Sequence, residues 1–157
     1  MRKTTVISTL MSLIVVLCAC FALAQTIPNL SGTWKVNPAK SKTEKTLPRG
    51  MRIKFEQKES SIKETIYLTF GANEQSAEYE YAADGNELVV KDPKVPYTVS
   101  AKWEGRILIQ TWKKRDKSEG FTRKYTLSDD GQSIVMVKES PNSDGSVTVD
   151  TLFLEKQ

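Results

Sequence analysis

The chain contains no histidine. That single absence removes the commonest general base, the usual triad base and the commonest metal ligand together. Cysteine is almost as scarce: Cys18 and Cys20 both lie in an apolar N-terminal stretch. If that stretch is cleaved off after Ala24, neither a disulfide framework nor a cysteine zinc site remains. The chain has no Gly-x-Ser-x-Gly elbow, phosphate loop, zinc spacing or dinucleotide fingerprint. Asp129-Asp130-Gly131 is far from a twelve-residue calcium loop, and the tight turns expected at Asp129, Asp130 and Asp144 account for those acids. No metal, cofactor or enzymatic activity is therefore expected. A hydrolase working through paired carboxylates ranks third among the readings.

A one-sign charge field is also missing. The formal charge is +4, and Arg2 and Lys3 supply half of it. Beyond the leader, Lys and Arg alternate with Glu and Asp, whereas phosphate binding needs a patch of one sign. No nucleic-acid partner is expected. Lys113, Lys114, Arg115 and Lys117 form a basic cluster, but Asp116 and Glu119 dilute it, which suggests a solvated turn.

Met1-Arg2-Lys3 is a positive start, Val6 to Leu17 is largely apolar, and Ala22-Leu23-Ala24 offers small residues at both positions a signal peptidase reads. That order describes a secretory signal over residues 1–24, followed by one domain over residues 25–157. Two alternatives remain. Leu17-Cys18-Ala19-Cys20 resembles a lipoprotein signal with Cys20 acylated. Val6 to Ala24, 19 residues, is also long enough to span a bilayer uncleaved. The expected location is periplasmic or secreted, and membrane contact is expected only under the alternatives.

After Gly50, apolar residues recur with a period of two. Met51, Ile53 and Phe55 alternate with Arg52, Lys54 and Glu56. Ala77, Tyr79 and Tyr81 alternate with Glu78 and Glu80, and the runs 95–104 and 121–127 do the same. Strand side chains point alternately to opposite faces, so each run has one wet face and one buried face. Strands are expected at about 31–36, 51–58, 61–70, 75–82, 86–91, 95–104, 106–115, 120–128, 132–140 and 146–155. Glycines punctuate them, and Asp84-Gly85, Asp130-Gly131 and Asp144-Gly145 are dipeptides favoured in tight hairpins. Pro93 and Pro141 fall in connections and Pro96 opens a strand. The pattern predicts an all-β fold, an antiparallel up-and-down meander of 8–10 strands closed as a barrel with no exposed edge. Residues 37–50 read as a loop with one short helical turn, lying across one end.

Residues 29–42, NLSGTWKVNPAKSK, carry the most specific motif. Gly32-Thr33-Trp34 resembles the Gly-x-Trp signature on the first strand of lipocalins. The longer string is similar to that of small secreted bacterial lipocalin-like proteins, as are Lys102-Trp103-Glu104-Gly105 and the stretch from Leu127 to Ser133. The resemblance implies a calycin-type barrel with Trp34 closing its floor and a cation stacked on that Trp, Arg123 first and Lys156 second. Residues 151–156 resemble the last strand of fatty-acid-binding proteins. Leu152 and Leu154 stand where that family carries its carboxylate-binding Arg and Tyr, so that clamp is missing, and residues 37–50 leave little room for its helix pair.

Glu64 falls in phase with Ile62, Ile66 and Leu68, and Arg123 with Phe121, Tyr125 and Leu127. A charge inside a small barrel is costly unless paired. The two either form an internal ion pair or orient a ligand's polar group. Tyr79, Tyr81, Tyr97 and Trp103 share the apolar faces, as core or as pocket wall. Leu108 and Trp112 lie opposite Ile107 and Ile109, which places Trp112 on a contact surface or under a second layer. The candidate ligand-binding set is therefore Glu64, Tyr79, Tyr81, Tyr97, Trp103, Arg123 and Tyr125. The expected role is a non-enzymatic binder of a small apolar or amphipathic molecule. The alternative is a solid-core interaction module.

Overall fold

In the computed structural model the described residues are 27–44, 46–90, 97–116 and 119–157. The leader with Cys18, Cys20 and Ala24, the connection holding Pro93 and Pro96, and Lys117 lie outside them. The described residues contain no helix. They form ten strands: β1 (Gly32–Val36), β2 (Arg49–Lys58), β3 (Ser61–Phe70), β4 (Asn73–Ala82), β5 (Asp84–Val89), β6 (Tyr97–Glu104), β7 (Ile107–Lys114), β8 (Gly120–Leu127), β9 (Ser133–Pro141) and β10 (Val147–Lys156). The bounds fall within about two residues of those the alternation predicts.

All ten belong to one antiparallel sheet in the order β4-β3-β2-β1-β10-β9-β8-β7-β6-β5. The first and last strands of the chain pair with each other, Trp34 opposite Lys156 and Val36 opposite Leu154. That ladder curls the meander into a nearly closed barrel. The remaining seam falls between two strands that follow each other in the chain, β4 and β5. They are joined through Ala83 alone, and no ladder links them.

This corrects two expectations. Asp84-Gly85 does not make a tight hairpin. Gly85 instead sits in a β5 bulge, because Asp84 pairs with Lys102 and Glu87 with Ser100, leaving one extra residue on β5. Closure also leaves two edges without ladder partners. The dipeptide signals positive φ, and a bulge satisfies that demand as well as a turn does.

The core is the inner face of the barrel. Ile53, Phe55, Ile62, Leu108, Tyr125, Ile134 and Leu154 are fully buried. Burial stabilises each such apolar side chain by roughly 1.5–3 kcal/mol. One end is closed by Trp34, whose indole Nε1 donates to the Leu30 carbonyl at 2.8 Å. Lys156 Nζ lies 5.4 Å from the Trp34 ring centroid. Arg123, the first-ranked partner for that ring, is placed elsewhere. β8 is separated from β1 by β9 and β10, whereas β10 pairs with β1 directly.

The segment after β1 makes one tight turn at residues 38–40, where Lys40 N–H and Ser41 N–H donate to the Asn37 and Pro38 carbonyls, three residues back, as in a single helical turn. It then runs as a strap along β10. Asn37 N–H donates to the Phe153 carbonyl, and Lys42 and Thr151 exchange two backbone hydrogen bonds at 2.7 Å. Ser41 Oγ accepts from Phe153 N–H at 3.0 Å, Thr43 Oγ1 donates to Asp150 at 2.6 Å, and Lys40 pairs with Glu155 at 2.9 Å. The motif NPAKSK is thus the stitching of this strap. Leu47 and Met51 behind it pack against the core.

Leu108 and Trp112 point inward, both essentially buried, while Ile107 and Ile109 are half-buried outside. The stretch ILIQTW is apolar on both faces, so its own alternation leaves parity open. The two-residue Gly105-Arg106 turn sets it by placing Trp103 opposite Leu108. Trp112 is therefore no surface contact. Its carbonyl packs on β8, and a Cβ on Gly120 would collide with that oxygen. Gly120→Ala is expected to cost about 1–3 kcal/mol, the range for forcing extra atoms into a packed site, measured as a lowered midpoint in urea unfolding followed by circular dichroism.

Candidate functional site

Glu64 lies mid-barrel with its side chain wholly out of solvent. Its Oε2 accepts from Tyr81 Oη at 2.9 Å and from Gln110 Nε2 at 2.6 Å. Its Oε1 accepts from Tyr125 Oη at 3.0 Å and stands 3.6 Å from Arg123 Nη1. Gln110 Nε2 also contacts the Tyr81 hydroxyl, and Gln110 Oε1 accepts from Trp112 Nε1 at 2.9 Å. Four strands thereby converge on one carboxylate. A buried acid is tolerable on these terms, since a counter-charge is present and its acceptor positions are used.

Burial drives the Tyr81 hydroxyl well above the ordinary tyrosine range, and the adjacent Glu64 carboxylate pushes it further. The Tyr125 hydroxyl moves the same way for the same reasons. Burial works against the Arg123 charge, but Tyr125, Glu64 and Tyr79 outweigh it, and its guanidinium is held above its ordinary value.

Arg123 also faces the other way. Its guanidinium carbon lies 5.2 Å from the Trp112 ring and 5.0 Å from the Phe121 ring. Trp112 and Phe121 stack at 5.6 Å. Tyr79 meets Trp112 edge-on at 4.9 Å and Tyr97 meets Phe121 at 5.7 Å. Lys138 Nζ stands 4.7 Å from Phe121. Beside this aromatic enclosure the Arg123 Nε is buried without a hydrogen bond, while Nη1 is the nitrogen turned to Glu64. A buried unpaired donor carries a desolvation cost that an acceptor would relieve.

Six of the seven candidate residues are thus brought together: Glu64, Tyr81, Arg123 and Tyr125 in the carboxylate knot, Tyr79 and Tyr97 in the aromatic enclosure. Trp103 stands apart, half-buried beside Leu108, with its indole N–H unpaired. Sequence reasoning missed Gln110, Lys138 and Asp150. Each is a polar residue in the inward phase of its strand, the same signal that exposed Glu64 and Arg123. Register places Gln110, Arg123, Lys138 and Asp150 in one row across β7 to β10. In the basic cluster, Lys113 pairs with Glu87 at 3.5 Å, Lys114 pairs with Glu119, and Arg115 donates to the Val90 carbonyl at 2.9 Å. Asp130 and Asp144 bond within their own turns, to Ser128 and Ser146.

Two clefts open to solvent. A shallow one of about 710 Å3 lies between the β7–β8 and β9–β10 connections, with Lys113, Lys114 and Arg115 on its rim. A narrower slot of about 220 Å3 lies in the β4/β5 seam, between residues 78–80 and residues 88–90, over Val99. Among the described residues no group of three or more acids or cysteines could hold a metal ion.

No protein-family description and no curated protein matches this chain. Solved structures do. Secretory abundant heat soluble protein 4 of Ramazzottius varieornatus matches with a TM-score of 0.59 at 15% identity, over 82% of this chain and 94% of that one. A point mutant of the fluorescent protein UnaG matches with a TM-score of 0.59 at 11% identity, over 85% and 96%. Human cRBP IV matches with a TM-score of 0.57 at 15% identity, over 83% and 99%. The fold is a lipocalin-like β-barrel. At these identities the likeness extends to the fold alone.

The raised hydroxyls of Tyr81 and Tyr125 link stability to alkaline pH. Both groups stay protonated in the barrel beyond the pH at which an unfolded tyrosine ionises, about 10. Their contribution is therefore intact below that pH and drains away as the pH rises above it. Titration followed at 295 nm is expected to show two of the five tyrosines ionising only as the near-ultraviolet circular dichroism collapses.

Proposed function

We propose that this chain is an exported, non-enzymatic binding protein whose barrel holds a small apolar or amphipathic molecule carrying a hydrogen-bond acceptor. The observation that carries this reading is the buried Arg123 Nε, which has no hydrogen-bond partner, beside the enclosure of Tyr79, Tyr97, Trp112 and Phe121. Aromatic faces suit a flat guest. Because Glu64 already balances the Arg123 charge, the best acceptor is uncharged, such as a ketone or amide carbonyl; a bare carboxylate would need Lys138 as well.

Prodan, a neutral naphthyl ketone with environment-sensitive emission, is a suitable probe. Arg123→Leu alone would strand the Glu64 charge and destabilise the barrel by about 3–5 kcal/mol. The double variant Arg123→Leu/Glu64→Gln removes both charges together. A hydrogen bond to a charged donor is worth about 1.5–3 kcal/mol. The double variant is accordingly expected to bind prodan roughly ten- to a hundredfold more weakly, with bluer emission from the lost donor. Equal binding by both proteins would overturn the assignment of Arg123.

The carboxylate knot fills the middle of the barrel, which favours the second reading of a solid-core module. Failure of prodan to bind, together with native protein whose extracts hold no small molecule above background, would establish that reading.

Export rests on the leader, with cleavage after Ala24 ahead of lipidation at Cys20. Intact mass of the native protein is expected to correspond to residues 25–157. A mass beginning at Cys20 with added acyl chains would replace the soluble location with a membrane-anchored one.

A further inference from the structure

We infer that the guest passes through the side wall between β4 and β5, rather than through the part of the wall that the strap closes along β10. This rests on the binding reading above. Everywhere else around the wall, neighbouring strands are tied by backbone ladders, so parting them breaks a row of hydrogen bonds. At the seam only side chains meet. The slot opens there, flanked by Leu88 and Val89, which are 42% and 56% exposed although apolar. It narrows over Val90, Val99 and Tyr79. Tyr79 is the inner door: its ring edge rests on Trp112, and Trp112 carries the Arg123 guanidinium on its face. The seam therefore reaches the Arg123 guanidinium through two packed side chains, Tyr79 and Trp112.

The strap side is built to stay shut. The stretch from Asn37 to Thr43 is tied to β10 by backbone and side-chain hydrogen bonds, and Leu47 and Met51 are packed inward behind it. Charge at the seam also suits an uncharged guest. Of the two acids that line the slot, Glu78 is paired with Lys63 at 3.0 Å, and Glu87 on the adjoining strand is paired with Lys113 at 3.5 Å.

A doorway changes rates and leaves affinity alone. Stopped-flow mixing with prodan tests this on four proteins: wild type, Leu88→Tyr, Val89→Tyr, and the strap variant Asn37→Ala/Thr43→Ala. Leu88 and Val89 are exposed, so the larger side chains leave the fold intact, and circular dichroism checks this. Both tyrosine variants are expected to slow association and dissociation together by at least fivefold, with Kd within twofold of wild type. Leu88→Ala is expected to speed both. The strap variant is expected to keep both rates within twofold. Unchanged association rates in both tyrosine variants overturn the inference, as does a strap variant that alone accelerates exchange. A weaker Kd with an unchanged association rate overturns it too, since the slot would then be a wall of the site. Absence of prodan binding to the wild type overturns the binding reading and this inference with it, whereas binding with seam-insensitive rates overturns this inference only.

Discussion

The charge of Glu64, buried at the centre of a small barrel, is the constraint around which the rest is arranged. An isolated carboxylate there would unfold the protein or give up its charge. Tyr81, Gln110 and Tyr125 each donate to it, and Arg123 balances it. These partners come from β4, β7 and β8, with Tyr81, Gln110 and Tyr125 standing 17, 46 and 61 residues from Glu64 in sequence. The knot therefore specifies which inner faces must meet and rejects a one-residue slip, since a slip would turn each partner to the opposite face. It also divides the interior. Towards Trp34 the packing is apolar and full. On the other side an aromatic enclosure receives the half of Arg123 that Glu64 leaves unused.

Nearly all of the strand pattern was legible because burial on one face imposes a period of two, and nothing in the chain competes with it. Parity was legible only where one face was clearly polar. In Ile107–Lys114 both faces are oily, and the turn at Gly105-Arg106, not the strand itself, decides that Trp112 turns inward. Asp84-Gly85 misled for a related reason. Positive φ is a local demand, and it does not reveal whether the chain turns back on itself or merely bulges.

Of the site, Glu64 and Arg123 stood out as charges in an apolar phase, and the structure pairs them. Gln110 carried the same signal more quietly because it is uncharged, and its role depends on Glu64 being close in space though 46 residues away in sequence. Lys138 and Asp150 lie in the same strand phase as Met136 and Leu152, a signal that only the pairing of the two strands makes plain. Pairing Arg123 with Trp34 failed because the family resemblance supplied the idea of a stacked cation without the strand order. Direct pairing of β1 with β10 gives that place to Lys156.

The motif and the seam are two sides of one design problem. A sheet of ten strands must either join its last two edges or leave a gap, and closing β1 onto β10 spends the chain's ends on one ladder. Residues 37–43 extend that closure along β10, because β1 stops at Val36 while β10 continues back to Val147. Without the strap, the backbone groups of Thr151 and Phe153 would be left as a free edge open to association. The string NPAKSK thus serves the wall directly, through the hydrogen bonds of Asn37, Ser41 and Lys42. The gap is displaced to β4 and β5, where acids, a short strand and a bulge protect the edges from pairing with another chain. The wall is weakest there, and that is also where the slot leads inward to Tyr79.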